Sequence, residues 1–395
     1  MENISNTLIE QEKNSFFQVY KRLPIVVDYA QGCRIYDKSG KCYLDFLGGI
    51  AVNALGHSHP KIIEAVCNQA KKYMHLSNYF YQEPQILMAE RLKQLSGYDR
   101  VFFSNSGSEA VEGAIKLARR WGNICNKTEI IGFSGGFHGR TYGALSLMDK
   151  PNYKDKMGPF LQNTGVINYN ATFALSTAVN ENTCAIILEF LQGEGGVSTA
   201  NKSFIKAIFD LKKQLGFLVI ADEIQAGVGR TGKFFCFEHF NVKPDIVTTA
   251  KGLGGGLPLG AILAVEDLAD VWEKGMHGTT FGGNAMSCAA GLVVLDELQN
   301  GLLEKVEEMG DYLHNQLIKI QNDFPELVLE VRGKGLMKGL LLTFDAALLV
   351  SSLLEKHVIA NAASGKVLRL VPPLIIGKED VDEFIYALSL SLKEF

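Results

Sequence analysis

Short apolar runs and longer amphipathic stretches alternate through most of the chain. Val101-Phe102-Phe103, Ile130-Ile131, Ala185-Ile186-Ile187-Leu188, Leu218-Val219-Ile220-Ala221 and Ile246-Val247-Thr248-Thr249 are compact apolar or β-branched runs, the composition of strands buried on both faces. The last of these is expected as part of a strand over 242–249. Between the runs, Ala110, Ala114, Ile115, Ala118 and Trp121 recur at helical spacing. That helix opens at Ser106, with Glu109 three residues on, a capping-box signature. Another helix is expected over 203–215. Strand and helix in turn predict an α/β fold, a mainly parallel sheet covered on both faces.

The ends of the chain follow other patterns. The first fifteen residues are polar and read as a loose or short helical arm. Residues 24–46 alternate around turns at Gln31-Gly32 and Ser39-Gly40, which predicts a small antiparallel meander starting at Ile25-Val26-Val27. Pro60 opens a helix through Ile62, Ile63, Val66 and Ala70, and a second runs over 84–95. From about Asn284 a long helix is expected, continued by Leu302, Val306, Met309, Leu313, Leu317 and Ile320 at steps of three and four. Strands over 327–331, 336–344 and 367–371 and a last helix over 380–392 complete an α+β unit. The expected division is a large domain over 56–285 and a small domain made of 286–395 together with 1–55.

Composition narrows the function. At 395 residues two domains are expected, and 47% hydrophobic with 21% charged residues is globular. A net charge of −4 without a basic run disfavours nucleic acid. No apolar run approaches the roughly 18 residues that span a membrane. Seven scattered cysteines without a Cys-x-x-Cys suit free thiols in a reducing compartment. With no signal peptide at Met1-Glu2-Asn3, a cytoplasmic protein is expected. His57 and His59 lack a neighbouring thiol or carboxylate in sequence and read as structural, so no metal is assigned.

In open α/β sheets ligands sit beyond the carboxyl ends of the strands. Those ends carry Ser106-Gly107-Ser108, Phe137-His138, Glu189, Asp222, Gln225 and Lys251. A glycine between serines at a helix start is how a phosphate is held. A lysine crowded by Gly252, Gly254, Gly255 and Gly256 can make a Schiff base with a carbonyl cofactor. A strand-end aspartate can keep a pyridine nitrogen protonated. Singly, each has a plainer meaning: a helix cap, a core phenylalanine, a loop lysine. Together they match a cofactor with a phosphate, an aldehyde and a ring nitrogen, with Phe137 stacking on the ring and Gln225 reaching a ring hydroxyl.

The segments Asn105-Ser106-Gly107-Ser108-Glu109-Ala110, Phe137-His138-Gly139-Arg140-Thr141, Gln192-Gly193-Glu194-Gly195-Gly196, Asp222 to Gly232, Thr248 to Gly256 and His277 to Asn284 resemble the class III pyridoxal-phosphate aminotransferases. Within the class the likeness is greatest to the enzymes that act on N-acetylornithine in arginine biosynthesis. Close alternatives act on ornithine, succinylornithine, succinyl-diaminopimelate or 4-aminobutyrate. Remoter ones are an aminomutase and a non-catalytic relative, the latter disfavoured by the presence of Lys251 and Asp222.

The resemblance implies a fold-type I homodimer with pyridoxal 5'-phosphate, an amino donor and 2-oxoglutarate at shared active sites. By position, Lys251 becomes the Schiff-base lysine, Asp222 the partner of the ring nitrogen and Gln225 the neighbour of the ring hydroxyl. Phe137 stacks, while Ser106, Gly107, Ser108 and Thr280 of the other subunit hold the phosphate. Arg140 takes a substrate carboxylate, Arg369 the α-carboxylate, and Glu194 is the switchable partner of an arginine. Tyr20 is placed near the substrate's α-group. The chain departs from the family at Glu189-Phe190, where Glu-Pro is usual, and losing that proline frees a donor and alters the loop's entry.

Overall fold

A computed structural model describes residues 2–395. Its centre is a seven-stranded sheet. In spatial order the strands are Arg100–Ser104, Gly260–Ala264, Ile246–Thr249, Leu218–Asp222, Thr183–Leu188, Glu129–Phe133 and Thr164–Ile167. All neighbours are parallel except at Gly260–Ala264, which runs antiparallel to both strands beside it. The middle strands are buried residue by residue, which is why they read as unbroken apolar runs.

The helix Gly107–Ile124 follows the first strand directly. Ser106 caps it by accepting the N–H of Glu109 at 3.3 Å. The reciprocal half of the expected box falls one residue earlier: the Glu109 carboxylate accepts both the backbone and side-chain N–H of Asn105, each at 2.9 Å. Both ends of the chain meet in a separate four-stranded sheet. There Val27–Gln31, Arg34–Asp37 and Cys42–Asp45 are joined by Val358–Ile359, parallel to Cys42–Asp45. Another sheet holds Val328–Lys334, Met337–Leu342, Val367–Leu370 and Asn361–Ala363. Phe46 stacks on Phe384 of the last helix with ring centroids 4.2 Å apart. The N-terminal arm is helical over Glu2–Ser15.

Several boundaries differ from expectation for definable reasons. The strand expected over 242–249 begins at Ile246, because Pro244 has no N–H to give a ladder. The meander's first strand starts at Val27 rather than Ile25. The long helix from Asn284 is broken: Ala285–Glu297 ends in an irregular turn where Gly301 takes φ 99°, and a new helix runs Leu303–Asp323. Two strands of the central sheet escaped the reading. Gly260–Ala264 is wholly apolar, without a period to separate strand from helix. Thr164–Ile167 is a half-buried edge strand with a weak apolar signal. His57 donates from Nε2 to Asp45 at 2.7 Å, a structural contact.

Packing against the sheet leaves no slack at Gly132, where an added Cβ would stand 2.4 Å from the Leu147 carbonyl oxygen. Gly165, on the edge strand, has nothing within 4 Å. Gly132→Ala should therefore cost about 1–3 kcal/mol in chemical denaturation, as overpacking against backbone does. Gly165→Ala should stay within about 0.5 kcal/mol of the parent.

Candidate active site

The carboxyl ends of the sheet strands open on a cavity of about 350 Å³ lined by Ser106, Gly107, Ser108, Phe137, Asp222, Gln225 and Lys251 among others. This is within the range of small-ligand sites. All nine residues that the sequence places at the strand ends therefore meet in one place.

Lys251 leaves the strand Ile246–Thr249 through Ala250 and begins a short 3-10 turn at φ 47°. A left-handed lysine costs roughly 1–2 kcal/mol, and such strain gathers at functional positions. The glycines that follow make the turn possible: Gly255 and Gly256 have φ 58° and 107°. Part of Lys251 opens onto the cavity, but protein surrounds its amine. Burial, with the positive Arg369 nearby, lowers the Lys251 pKa to about 8.

Asp222 ends the neighbouring strand. Its Oδ2 receives the Nδ1 proton of His138 at 2.7 Å and its Oδ1 the backbone N–H of Ile224 at 3.2 Å. Burial, the largest single influence, opposes a charged His138, yet the hydrogen bond and charge of Asp222 with the charge of Glu189 together outweigh it and raise the histidine pKa. His138 thus fixes the Asp222 carboxyl group at the cavity wall. The sequence names this histidine only as a neighbour of Phe137, since its partner lies 84 positions away.

Glu189 is a further lining residue whose role was not foreseen. Its carboxylate accepts the N–H of Phe137 at 2.8 Å and of Gly193 at 3.1 Å. It thereby ties the aromatic loop to the loop that carries Glu194. Burial raises its pKa, offset in part by His138. The next residue, Phe190, is fully buried and packs against Phe237 and Phe240. An apolar side chain thus anchors the loop that follows Glu189.

At the start of the helix Gly107–Ile124, glycine is required by crowding. A Cβ on Gly107 would meet Ile224 at 2.8 Å, and one on Gly139 (φ 124°) would meet the Ser108 hydroxyl at 2.5 Å. Free backbone N–H groups and two serine hydroxyls at a helix N-terminus suit a phosphate. With the desolvated amine of Lys251 and the held carboxylate of Asp222, this donor set fits a phosphorylated aldehyde with a basic ring nitrogen.

Arg369 lies behind the lining, 1% exposed. Its Nε donates to Asn361 Oδ1 at 3.1 Å and one terminal nitrogen to Gln225 Oε1 at 3.2 Å and to Glu194. A buried guanidinium is stabilised by such a partner, and Glu194 itself is quarter-exposed. Arg140 is exposed beyond Phe137, its guanidinium 5.7 Å from that ring centroid. Thr280 is exposed and lies apart from the cavity, in a cleft with Met74, Ser77 and Phe281. Tyr20 is 72% exposed with its ring against Arg22, and the structure does not bring it to this site.

The family model of the class-III aminotransferases matches residues 16–392. The chain is 44% identical to the acetylornithine aminotransferase of Methanocaldococcus jannaschii, over 96% of each chain. It is likewise 44% identical to that of Caldanaerobacter subterraneus subsp. tengcongensis, over 98% of this chain and 99% of the relative. Among solved structures it is similar to acetylornithine aminotransferase from Elizabethkingia anophelis, with a TM-score of 0.89, 36% identity and 99% of both chains covered. Ornithine aminotransferase from Toxoplasma gondii superposes with a TM-score of 0.95 at 30% identity, covering 99% of this chain and 95% of the other.

The lowered pKa of Lys251 gives a pH signature. With a pKa of about 8, the unprotonated fraction rises about tenfold between pH 7 and pH 9. Reductive labelling of the cofactor-free protein with a small aldehyde, mapped by mass spectrometry, should accelerate at Lys251 by about that factor. A lysine with the ordinary value would label far more slowly at both pH values and accelerate about a hundredfold between them, with no levelling near pH 9.

Proposed function

Because this chain belongs to the class-III aminotransferase family, we propose that it transfers the terminal amine of N-acetylornithine to 2-oxoglutarate, giving N-acetylglutamate 5-semialdehyde and glutamate. The observation that carries this reading is the pairing of Arg369 with Glu194 beside Lys251. A substrate reacting at an amine far from its carboxylate brings no anion to Arg369, so the protein must supply one. Glutamate and 2-oxoglutarate bring a carboxylate at each end, and Glu194 then has to turn away. The acetylornithine relatives at 39–44% identity support the same substrate.

Pyridoxal phosphate, when bound, supplies a ring that accepts the electrons left on the amine-bearing carbon as its proton departs. Ser106, Gly107 and Ser108 would hold its phosphate at the helix start, and Phe137 would cover the ring. Asp222, oriented by His138, would favour a protonated ring nitrogen. Gln225 gives its Oε1 to Arg369, which leaves its Nε2 to donate to the ring hydroxyl.

The protein's own chemistry then falls to a few groups. Lys251 Nζ takes the proton from the amine-bearing carbon, and a pKa of about 8 lets the same atom release it near neutral pH. Arg140 binds the α-carboxylate of N-acetylornithine, and the distal carboxylate of 2-oxoglutarate in the second half of the cycle. Arg369, once free of Glu194, binds the α-carboxylate of 2-oxoglutarate through a planar two-point contact.

A homodimer completes this reading. Tyr79 and Tyr81 are 95% and 98% exposed, with Phe80 and Phe281 also bare, and Asn78 pins their segment to the carbonyls of Thr279 and Gly282. An apolar patch of this kind marks an interface. Thr280 of the partner subunit would then reach the phosphate. Among the described residues no helix is long and apolar enough to cross a membrane. The free cysteines support a reducing cytoplasm as its compartment.

Two measurements test the assignment. Lys251→Ala should lose the visible absorbance of the bound cofactor and at least about a hundredfold in turnover, the low end for a proton-transfer group. A panel of N-acetylornithine, N-succinylornithine, ornithine and 4-aminobutyrate with 2-oxoglutarate should give the highest kcat/KM for N-acetylornithine. A wide margin for ornithine or 4-aminobutyrate would refute the substrate.

A further inference from the structure

We propose that Tyr153 is a positioning residue for Arg140, holding its guanidinium by a ring face so that the charge stays available for a substrate carboxylate. The inference rests on Arg140 as a carboxylate clamp. It concerns a residue outside the cavity lining and outside every motif singled out from sequence.

The Arg140 guanidinium carbon stands 3.6 Å from the Tyr153 ring centroid. That is close contact for a cation and an aromatic face. The Tyr153 ring in turn meets Phe137 edge to face, with centroids 6.1 Å apart and planes at 84°. Arg140 makes no hydrogen bond or ion pair among the described residues, so this stack is what fixes it. The ring is itself anchored. Tyr153 lies in the turn Pro151–Lys154, its N–H donates to the Lys150 carbonyl at 3.0 Å, and Lys154 Nζ donates to the Met148 carbonyl at 3.1 Å.

The two arginines are thus restrained by opposite means. Arg369 is held by a carboxylate, Glu194, which cancels its charge until it moves away. Arg140 is held by an uncharged ring, which restricts a long flexible side chain and leaves its charge intact. An acid in place of Tyr153 would orient Arg140 equally well but would compete with the substrate. The arrangement gives one clamp that is always open and one that is gated. The edge contact with Phe137 sets the distance of the open clamp from the ring-binding part of the site.

The test uses the holoenzyme and three substitutions: Tyr153→Phe, Tyr153→Leu and Tyr153→Glu. The readouts are KM and kcat with N-acetylornithine, the dissociation constant of glutarate by calorimetry, and the cofactor spectrum. Tyr153→Leu should raise KM and the glutarate constant about three- to tenfold, the range of a cation–π contact, with kcat and spectrum unchanged. Tyr153→Phe keeps the ring face and should stay within about twofold. Tyr153→Glu should bind glutarate more weakly than Tyr153→Leu, because it also cancels the charge. In an Arg140→Leu background, Tyr153→Leu should add nothing. The proposal is overturned if Tyr153→Leu leaves both constants unchanged, if it adds its full effect without Arg140, or if Tyr153→Glu binds glutarate as well as the parent. If Arg140→Leu alone leaves KM and glutarate binding intact, the clamp reading itself fails, independently of Tyr153.

Discussion

A guanidinium taken out of water must meet a negative charge or forfeit several kcal/mol. Arg369 is such a group, and the site is arranged around what neutralises it. Its donors reach Asn361, Gln225 and Glu194, so three separate segments converge on one cation. Of the three, only Glu194 is an acidic side chain, and it is partly exposed; the proposed exchange is of this carboxylate for a ligand's. On the proposed function, the choice between a substrate with a carboxylate near its reacting amine and one without becomes a choice of which anion occupies Arg369. Uncompensated, the same cation would drive the Lys251 pKa lower still, so the pair also bears on the proton carrier.

The sheet provides the fixed frame for that exchange. Asp222, Glu189 and Lys251 stand at or just beyond the ends of buried parallel strands, where packing leaves little freedom. Each is then fixed a second time: Asp222 by His138 and Glu189 by the Phe137 N–H, both remote in sequence, and Lys251 by the local left-handed turn between Ala250 and the glycines. Preorganisation of this kind puts the cost of placing charges into folding rather than into each turnover.

Much of this was legible in the sequence because the sheet is buried on both faces. Full burial makes the strands unbroken apolar runs, so the polar residue after each run stands out. Asp222, Lys251 and the Ser106-Gly107-Ser108 turn were readable in that way, and Phe137 from the glycine-flanked loop after its strand. Gly260–Ala264 was not, because an apolar run with no polar residue to mark its end looks the same in strand or helix. The His138–Asp222 bond, the double role of Glu189 and the Tyr153 stack depend on contacts between distant segments, which no local pattern encodes. Tyr20 carried no motif of its own and stands in solvent against Arg22. Thr280 was assigned to a site assembled from two chains, and in one chain it lies on a surface beside Phe281.

The exchange at Arg369 is tested most directly by following each half-reaction separately in the stopped flow, for the parent and for Glu194→Ala. Removing the carboxylate leaves Arg369 bare, a state that suits a substrate bringing its own carboxylate and penalises one that does not. The half-reaction with N-acetylornithine should lose about tenfold or more in apparent second-order rate, equivalent to at least about 1.4 kcal/mol, while that with glutamate is unchanged or faster. Equal losses in the two half-reactions, or a loss confined to glutamate, would contradict the account.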